Sequence, residues 1–233
     1  MEKIRINRAR LTDLAWRTIL EETSLHGVTI RDELLAKSSA LDDLRRHAAY
    51  NTGSISTGAI WSLFAAVAFF RPQTIAEVGT FIGKSTFAMA CGIDICHKGG
   101  GQIFTCDFSN DIPLDFGTTT RVTQYPMTAS GDMFRDLRSK GVRCDLVLLD
   151  GRLPAEDLPV LGELLHQESV ILLDDFEGIE KGVANAALLM PSLQATHLLA
   201  YPPSSALLLE HGLHEACSVA MIVPRSLVEH THQ

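Results

Sequence analysis

The sequence has no excess of basic residues, and this narrows the class of ligand. Its 233 residues include 20 lysines and arginines against 28 aspartates and glutamates, which gives a formal net charge of −8 at pH 7. A protein whose main substrate is nucleic acid needs a basic face to neutralise phosphates. The composition therefore predicts a small-molecule substrate and no nucleic-acid partner.

Long apolar runs and cysteine pairs are also lacking. The most apolar run, residues 60–70, is 11 residues long and includes Ser62. This is too short to span a bilayer, so we expect a buried helix and no membrane partner. The N-terminal residues contain no apolar core followed by a small-residue cleavage site, so we expect no export. The five cysteines form no C-x-x-C pair, which favours reduced thiols in a cytoplasmic protein.

The segment TIAEVGTFIGKSTFAMA, residues 74–90, lacks the glycines of two nucleotide-binding loops. A Walker A loop, G-x-x-x-x-G-K-[ST], needs a glycine where Val78 stands, because Gly79 leaves only three residues before Gly83. A dinucleotide-binding turn, G-x-G-x-x-G, needs a glycine where Phe81 stands. The pattern still predicts a strand, a tight turn and a helix. A P-loop-like nucleotide phosphohydrolase is kept as an alternative function.

Two regions follow one another along the chain. Residues 1–70 have helical periodicity, and we expect them to cover the substrate side or to form a subunit contact, as in a homodimer. In residues 71–233 short β-rich runs alternate with helical ones, which predicts an α/β domain with a Rossmann-like, doubly wound and mostly parallel sheet. The predicted strands are residues 74–78, 102–106, 121–125, 145–149, 169–173, 196–200 and 218–223. The predicted helices lie near residues 83–97, 132–140, 155–166 and 179–190.

Acidic residues stand at the ends of the predicted strands. They are Glu77, Asp107, Asp150, Asp174 and Asp175. Ligands of such folds bind at the carboxyl ends of the strands. An acidic turn with few glycines suits a ligand that carries a ribose and a positive charge but no phosphate. Asp107 can accept both ribose hydroxyls and Glu77 can attract a cationic amino-acid moiety, so S-adenosylmethionine fits this description.

The segment EVGTFIGKST resembles the first motif of class I S-adenosylmethionine-dependent methyltransferases, E-x-G-x-x-x-G-x-[ST]. The segments CDFS, SGDMFRDL, DLVLLDG and VILLDDF resemble, in the same order, the ribose, adenine, strand-four and strand-five motifs of that family. The resemblance implies a seven-stranded sheet whose last strand is antiparallel. It also implies that S-adenosylmethionine is bound by Glu77, Gly79, Thr80, Phe81, Gly83, Ser85, Asp107, Asp132, Met133 and Asp150.

A narrower resemblance is to small-molecule O-methyltransferases of the catechol and sugar type. In these an acid after strand four and an acidic or amide pair after strand five hold a divalent cation, and Asp150, Asp174 and Asp175 stand at those places. The resemblance therefore implies a site for Mg²⁺ or a similar ion, with Asp150 in the catalytic role. Such an ion would lower the pKa of a bound substrate hydroxyl. The predicted function is methylation of an oxygen on a small hydroxylated acceptor.

The sequence departs from the family pattern in three places. Residues 110–120 are too interrupted by glycine and proline for the usual helix, and Lys84 follows the second glycine of the first motif. The positions of the general base in the sugar and catechol types hold Arg152 and Leu153. No proton acceptor is identified by the resemblance, so a hydroxylase or non-catalytic relative with the same fold is a further alternative.

The acidic cluster also has a purely structural interpretation. Acids are common at strand ends, and Asp175 is placed to cap a helix that begins near Glu177. Three carboxylates brought together repel one another, so a metal ion, a proton or an arginine such as Arg152 must neutralise them. The sequence leaves these three possibilities open.

Overall fold

The computed structural model describes residues 8–24, 28–48, 50, 53–109, 111–179 and 181–229. The helices are α1 (Arg8–Ser24), α2 (Val28–Ala40), α3 (Thr57–Phe70), α4 (Lys84–Cys96), α5 (Ser130–Ser139), α6 (Leu158–Leu164), α7 (Lys181–Leu193), α8 (Ser205–Glu210) and α9 (Ser226–Glu229). Two 3₁₀ helices are Leu41–His47 and Ala155–Asp157. The strands are β1 (Thr74–Val78), β2 (Gln102–Cys106), β3 (Arg121–Tyr125), β4 (Cys144–Leu149), β5 (Leu165–Leu173), β6 (His197–Ala200) and β7 (Ala220–Pro224).

Within these ranges the strands form one seven-stranded sheet in the order β3-β2-β1-β4-β5-β7-β6. Strands β1 to β5 pair in parallel, whereas β7 is antiparallel to both β5 and β6. The predicted α/β fold, with a mostly parallel sheet and an antiparallel last strand, is confirmed. The strand order reverses between β1 and β4, and ligands of open α/β sheets bind at such a switch point.

Helices bury both faces of the central strands, and successive strand residues point to opposite faces. In β4, Leu146 and Leu148 belong to a hydrophobic cluster with α1, α3 and α4. Val147 and Leu149 belong to a second cluster with α5, α6 and α7. Burial on both faces explains why the central strands are continuous apolar runs in the sequence.

The helices before residue 70 share the core of the sheet. Helix α3 is buried almost throughout and packs against α4, and its residues belong to the same cluster as those of β1. In α1, Trp16 is fully buried and its indole N–H donates to the carbonyl oxygen of Tyr201, at 2.8 Å. The predicted boundary at residue 70 therefore falls inside one hydrophobic cluster. A role of residues 1–70 in covering substrate or in subunit contact stays a prediction.

The predicted strands match the observed ones closely, and the main difference concerns β5. This strand begins at Leu165 rather than at residue 169, so the helix predicted for 155–166 is shorter and ends at Leu164. The described part of the connection between β2 and β3, residues 107–109 and 111–120, contains no helix, as expected from its glycines and proline. Among the described residues, no helix combines the length and the apolarity needed to cross a membrane.

Candidate active site

A cavity of about 450 Å³ lies at the carboxyl ends of β1, β2, β4 and β5, next to the switch point of the sheet. Its acidic lining residues are Asp107, Asp150, Asp174, Asp175 and Glu177, and its basic ones are Lys84 and Lys181. The five acids exceed the two lysines, so the cavity favours a ligand that carries positive charge. Six of the ten residues predicted to bind the cofactor line it: Gly79, Thr80, Phe81, Ser85, Asp107 and Asp150.

The turn after β1 depends on a glycine at position 79. Gly79 has a φ of 104°, which side chains disfavour, and its N–H donates to the carbonyl oxygen of Cys106, at 2.9 Å. A Cβ at this position would lie 3.2 Å from the carbonyl carbon of Asp150. The close approach of the two loops lets residues 79–82 and Asp150 form adjoining walls of the cavity.

Gly83 lies at the start of α4, and it does not line the cavity. Its φ is 79° and its N–H donates to the carbonyl oxygen of Thr80, at 2.8 Å. A Cβ here would crowd the side chain of Leu114. Gly83 closes the turn, and the predicted cofactor contact at this residue stays a prediction.

Glu77 is fully buried and does not line the cavity. Its carboxylate accepts hydrogen bonds from the hydroxyls of Ser85, at 2.5 Å, and Thr86, at 2.6 Å, in the first turn of α4. Burial raises the pKa of Glu77 above its ordinary value. These bonds join β1 to α4, so Glu77 fixes the helix. An attraction of Glu77 for a cationic ligand group stays a prediction.

Asp107 lies at the cavity wall, where the sequence predicts it, and its carboxylate is held by three donors. One oxygen accepts from the Tyr50 hydroxyl, at 2.6 Å, and from the N–H of Ser109, at 2.7 Å. The other accepts from the N–H of Phe81, at 2.8 Å. The Tyr50 ring stacks on that of Phe81 with centroids 5.6 Å apart. The Tyr50 hydroxyl therefore donates to a carboxylate oxygen that would otherwise be free to accept from a ribose hydroxyl.

Asp132 and Met133, predicted to line the adenine, do not line this cavity. Both lie in the first turn of α5, where Met133 is fully buried in the second hydrophobic cluster. Asp132 is exposed and pairs with Arg135, at 2.8 Å. One side chain therefore packs in the core and the other faces solvent, and their contact with an adenine ring stays a prediction.

Two of the three clustered aspartates, Asp150 and Asp175, are joined by a residue that the sequence analysis missed, Lys181. Its ammonium nitrogen lies 2.7 Å from the carbonyl oxygen of Asp150, 2.8 Å from that residue's carboxylate and 2.7 Å from the carboxylate of Asp175. Arg152 is exposed instead. The sequence feature that could have pointed to Lys181 is its position, a few residues beyond the strand-five motif and before a helical run.

The remaining aspartate, Asp174, is 5% exposed and accepts from the hydroxyl of Ser218, at 2.7 Å, and from the N–H of Asp175, at 2.9 Å. Burial raises its pKa. Burial, followed by the charge of Asp174, raises the pKa of Asp150 to about 7 despite the contact with Lys181. A carboxyl group of this kind exchanges a proton near neutral pH.

The predicted metal ligands do not fit a divalent ion in this arrangement. Within the described ranges, no three acidic, histidine or cysteine side chains are grouped as ligands of one ion. Lys181 stands between two of the three predicted ligands, Asp150 and Asp175. Its positive charge supplies the neutralisation that the sequence analysis left open between a metal ion, a proton and an arginine.

Comparisons with known proteins identify the fold. No protein-family model and no curated protein matches the sequence. An O-methyltransferase from Bacillus cereus in complex with S-adenosylhomocysteine matches with a TM-score of 0.53 and 15% identity, over 90% of this chain and 98% of that one. The O-methyltransferase TomG from Streptomyces achromogenes, involved in tomaymycin synthesis and in complex with S-adenosylmethionine, matches with 0.52 and 14%, over 91% and 97%. A methyltransferase from Geobacter sulfurreducens matches with 0.51 and 13%, over 82% and 87%.

These identities are low, so the likeness shows the fold and leaves the chemistry to be argued from the site. The chain has the fold of class I S-adenosylmethionine-dependent methyltransferases, over most of its length.

Proposed function

We propose that the protein is an S-adenosylmethionine-dependent methyltransferase that methylates an oxygen of a small hydroxylated molecule. One observation carries the proposal: in a chain with the methyltransferase fold, an acidic cavity at the switch point of the sheet is bordered by Asp107 at one wall and by Asp150 at another.

The cavity residues suit the cofactor. S-adenosylmethionine supplies an electrophilic methyl group on a positively charged sulfur. Asp107 is the acceptor for the ribose hydroxyls once the Tyr50 hydroxyl moves away from it. The excess of carboxylates over lysines stabilises a cationic ligand. Gly79 brings backbone close to this space without a side chain to obstruct it.

The other end of the cavity suits the acceptor. Methyl transfer needs the acceptor oxygen held in line with the methyl group, and it needs a group to take the hydroxyl proton. Asp150, with a pKa near 7, takes that proton. The Lys181 ammonium donates to the Asp150 carboxylate, fixes its position and stabilises its negative charge. Asp174, which raises the pKa of Asp150 by its charge, is buried beside it.

The details of the turn disfavour the phosphohydrolase alternative. A phosphate-binding loop points free N–H groups and a lysine at the ligand. Here the N–H of Phe81 donates to the Asp107 carboxylate and that of Gly83 donates to the carbonyl oxygen of Thr80. The ammonium of Lys84 pairs with Asp42, at 2.8 Å.

Two finer parts of the sequence analysis stay predictions, the homodimer and the cytoplasmic location. The dimer is tested by light scattering of the purified protein. The predicted divalent cation is the alternative to the role inferred for Lys181 below, and adding excess chelator to a methyl-transfer assay distinguishes the two.

The function is tested by incubating the protein with S-adenosylmethionine and a panel of catechols, phenols and sugars. Formation of S-adenosylhomocysteine and of a product heavier by one methyl group supports the proposal. Asp150→Asn should abolish turnover, whereas Asp111→Ala, which changes an exposed acid on the β2–β3 connection, should not. A product heavier by one oxygen atom, or ATP hydrolysis without methyl transfer, would contradict it.

A further inference from the structure

We infer that Lys181 takes the place of a divalent cation, so that this site works without a metal ion. The inference rests on the proposed function for its consequence in methyl transfer, but the claim about the site itself concerns the three aspartates and the lysine alone.

The first support is the hydrogen bonding of the ammonium group. A lysine ammonium has three N–H donors. Lys181 directs them to three oxygens at 2.7 to 2.8 Å: the carbonyl oxygen of Asp150, the carboxylate of Asp150 and the carboxylate of Asp175. All three donors are used, and two of the three predicted metal ligands hold the ammonium.

The second support is the direction of the third aspartate. A hard cation such as Mg²⁺ needs oxygen ligands that converge on one point. Asp174 instead uses one carboxylate oxygen to accept from the Ser218 hydroxyl and from the N–H of Asp175. The three carboxylates are therefore arranged around a lysine and a serine rather than around one ion.

The third support is the way the backbone of Lys181 is held. Lys181 is the first residue of α7, and a Cβ on the next residue, Gly182, would collide with the carbonyl oxygen of Asp174. One turn further along, the buried Asn185 donates to the carbonyl oxygen of Gly151, at 2.8 Å, and accepts from the N–H of Leu153, at 2.9 Å.

These contacts hold the start of α7 against the loops that follow β4 and β5. A glycine is required at position 182 for the helix to approach this closely, and Asn185 fixes its rotation. Packing therefore holds Lys181 in the site, unlike a surface lysine such as Lys140 directly after α5, whose side chain is 56% exposed.

The inference predicts how the protein responds to metal ions. With Lys181 present, a divalent cation would have to displace a bound ammonium and would meet its charge at close range. Replacing Lys181 by methionine removes that charge and leaves the aspartates uncompensated, so Mn²⁺ should bind roughly tenfold or more tightly to the variant than to wild type.

The experiment measures Mn²⁺ binding to the full chain by electron paramagnetic resonance, and Mn²⁺-dependent thermal unfolding, for wild type, Lys181→Met and the control Lys140→Met. We expect Mn²⁺ to bind more tightly to Lys181→Met and to stabilise it more than wild type or Lys140→Met, and we expect this gain to be lost when Asp150→Asn is added. Wild-type protein that binds Mn²⁺ as tightly as Lys181→Met, or a folded Lys181→Met that gains no binding, overturns the inference.

Activity provides a separate outcome. Wild-type methyl transfer should be unchanged by excess chelator, and a loss of activity that Mg²⁺ restores would overturn the inference while supporting the proposed function. If no acceptor is methylated but the Mn²⁺ pattern is as expected, the proposed function fails and the assignment of Lys181 stands.

Discussion

Replacing Asp107 by alanine should weaken cofactor binding strongly. Asp107 is 9% exposed and lines the cavity, so a ribose hydroxyl bound there has little water to replace the lost acceptor. A hydrogen bond to a charged group contributes about 1.5–3 kcal/mol, which corresponds to a loss of affinity of roughly 10- to 150-fold. The affinity is measured by calorimetry with S-adenosylhomocysteine, which cannot turn over.

The same change should also lower the stability of the free protein. The N–H groups of Phe81 and Ser109 lose their acceptor, at a cost of about 1–3 kcal/mol for each group that stays unsatisfied. Calorimetry is therefore done at a temperature where thermal unfolding shows the variant to be folded. Asp111→Ala, on the same connection, is the matched control and should bind like wild type. A folded Asp107→Ala protein that also binds like wild type would refute the assigned ribose site.

Three further predictions concern neighbouring groups. Tyr50→Phe keeps the ring on Phe81 but removes the hydroxyl bond to Asp107, so S-adenosylhomocysteine should bind several-fold tighter; weaker binding would mean that the hydroxyl contacts the cofactor. Glu77→Gln should lower the melting temperature but leave cofactor affinity unchanged in calorimetry, and a large loss of affinity would count against its structural role. Burial raises the pKa of Asp150 from 3.8 to about 7, so ionising it costs folding free energy as pH rises through this interval. The unfolding free energy of wild type should therefore fall relative to Asp150→Asn from about pH 4 to about pH 8, by up to about 4 kcal/mol in urea titrations, and a constant difference would contradict the shift.

The fold was predictable because its signal is carried by short, separate segments. The buried strands are apolar runs that end in an acid, and the turn after β1 needs its glycine for a backbone conformation that other residues avoid. The acids that lie directly after a strand, Asp107, Asp150 and Asp174, were therefore placed at the correct edge of the sheet.

The direction of individual side chains was not predictable from the same pattern. Glu77 lies inside β1 rather than after it, and whether its side chain faces the cavity or the underside of α4 depends on how that helix packs. Met133 and Asp132 depend in the same way on the rotation of α5 about its axis. A motif fixes where such residues lie along the chain, but tertiary packing fixes which side they face.

Contacts between distant segments were also missed. Lys181 meets Asp150 across 31 positions of sequence, and Tyr50 meets Asp107 across 57. Neither pair has a local spacing that would mark it. The position of Lys181 depends on the close packing of Gly182 against the end of β5, which becomes visible only when the helix and the strand are seen together.

The central claim is that the acidic cavity binds S-adenosylmethionine. The most direct measurement is a crystal structure of the protein grown with S-adenosylhomocysteine. We predict one molecule in the cavity, with its ribose hydroxyls within hydrogen-bonding distance of Asp107 and the Tyr50 hydroxyl displaced. A ligand bound elsewhere, or a cavity that still has Tyr50 on Asp107 at saturating ligand, would contradict the account.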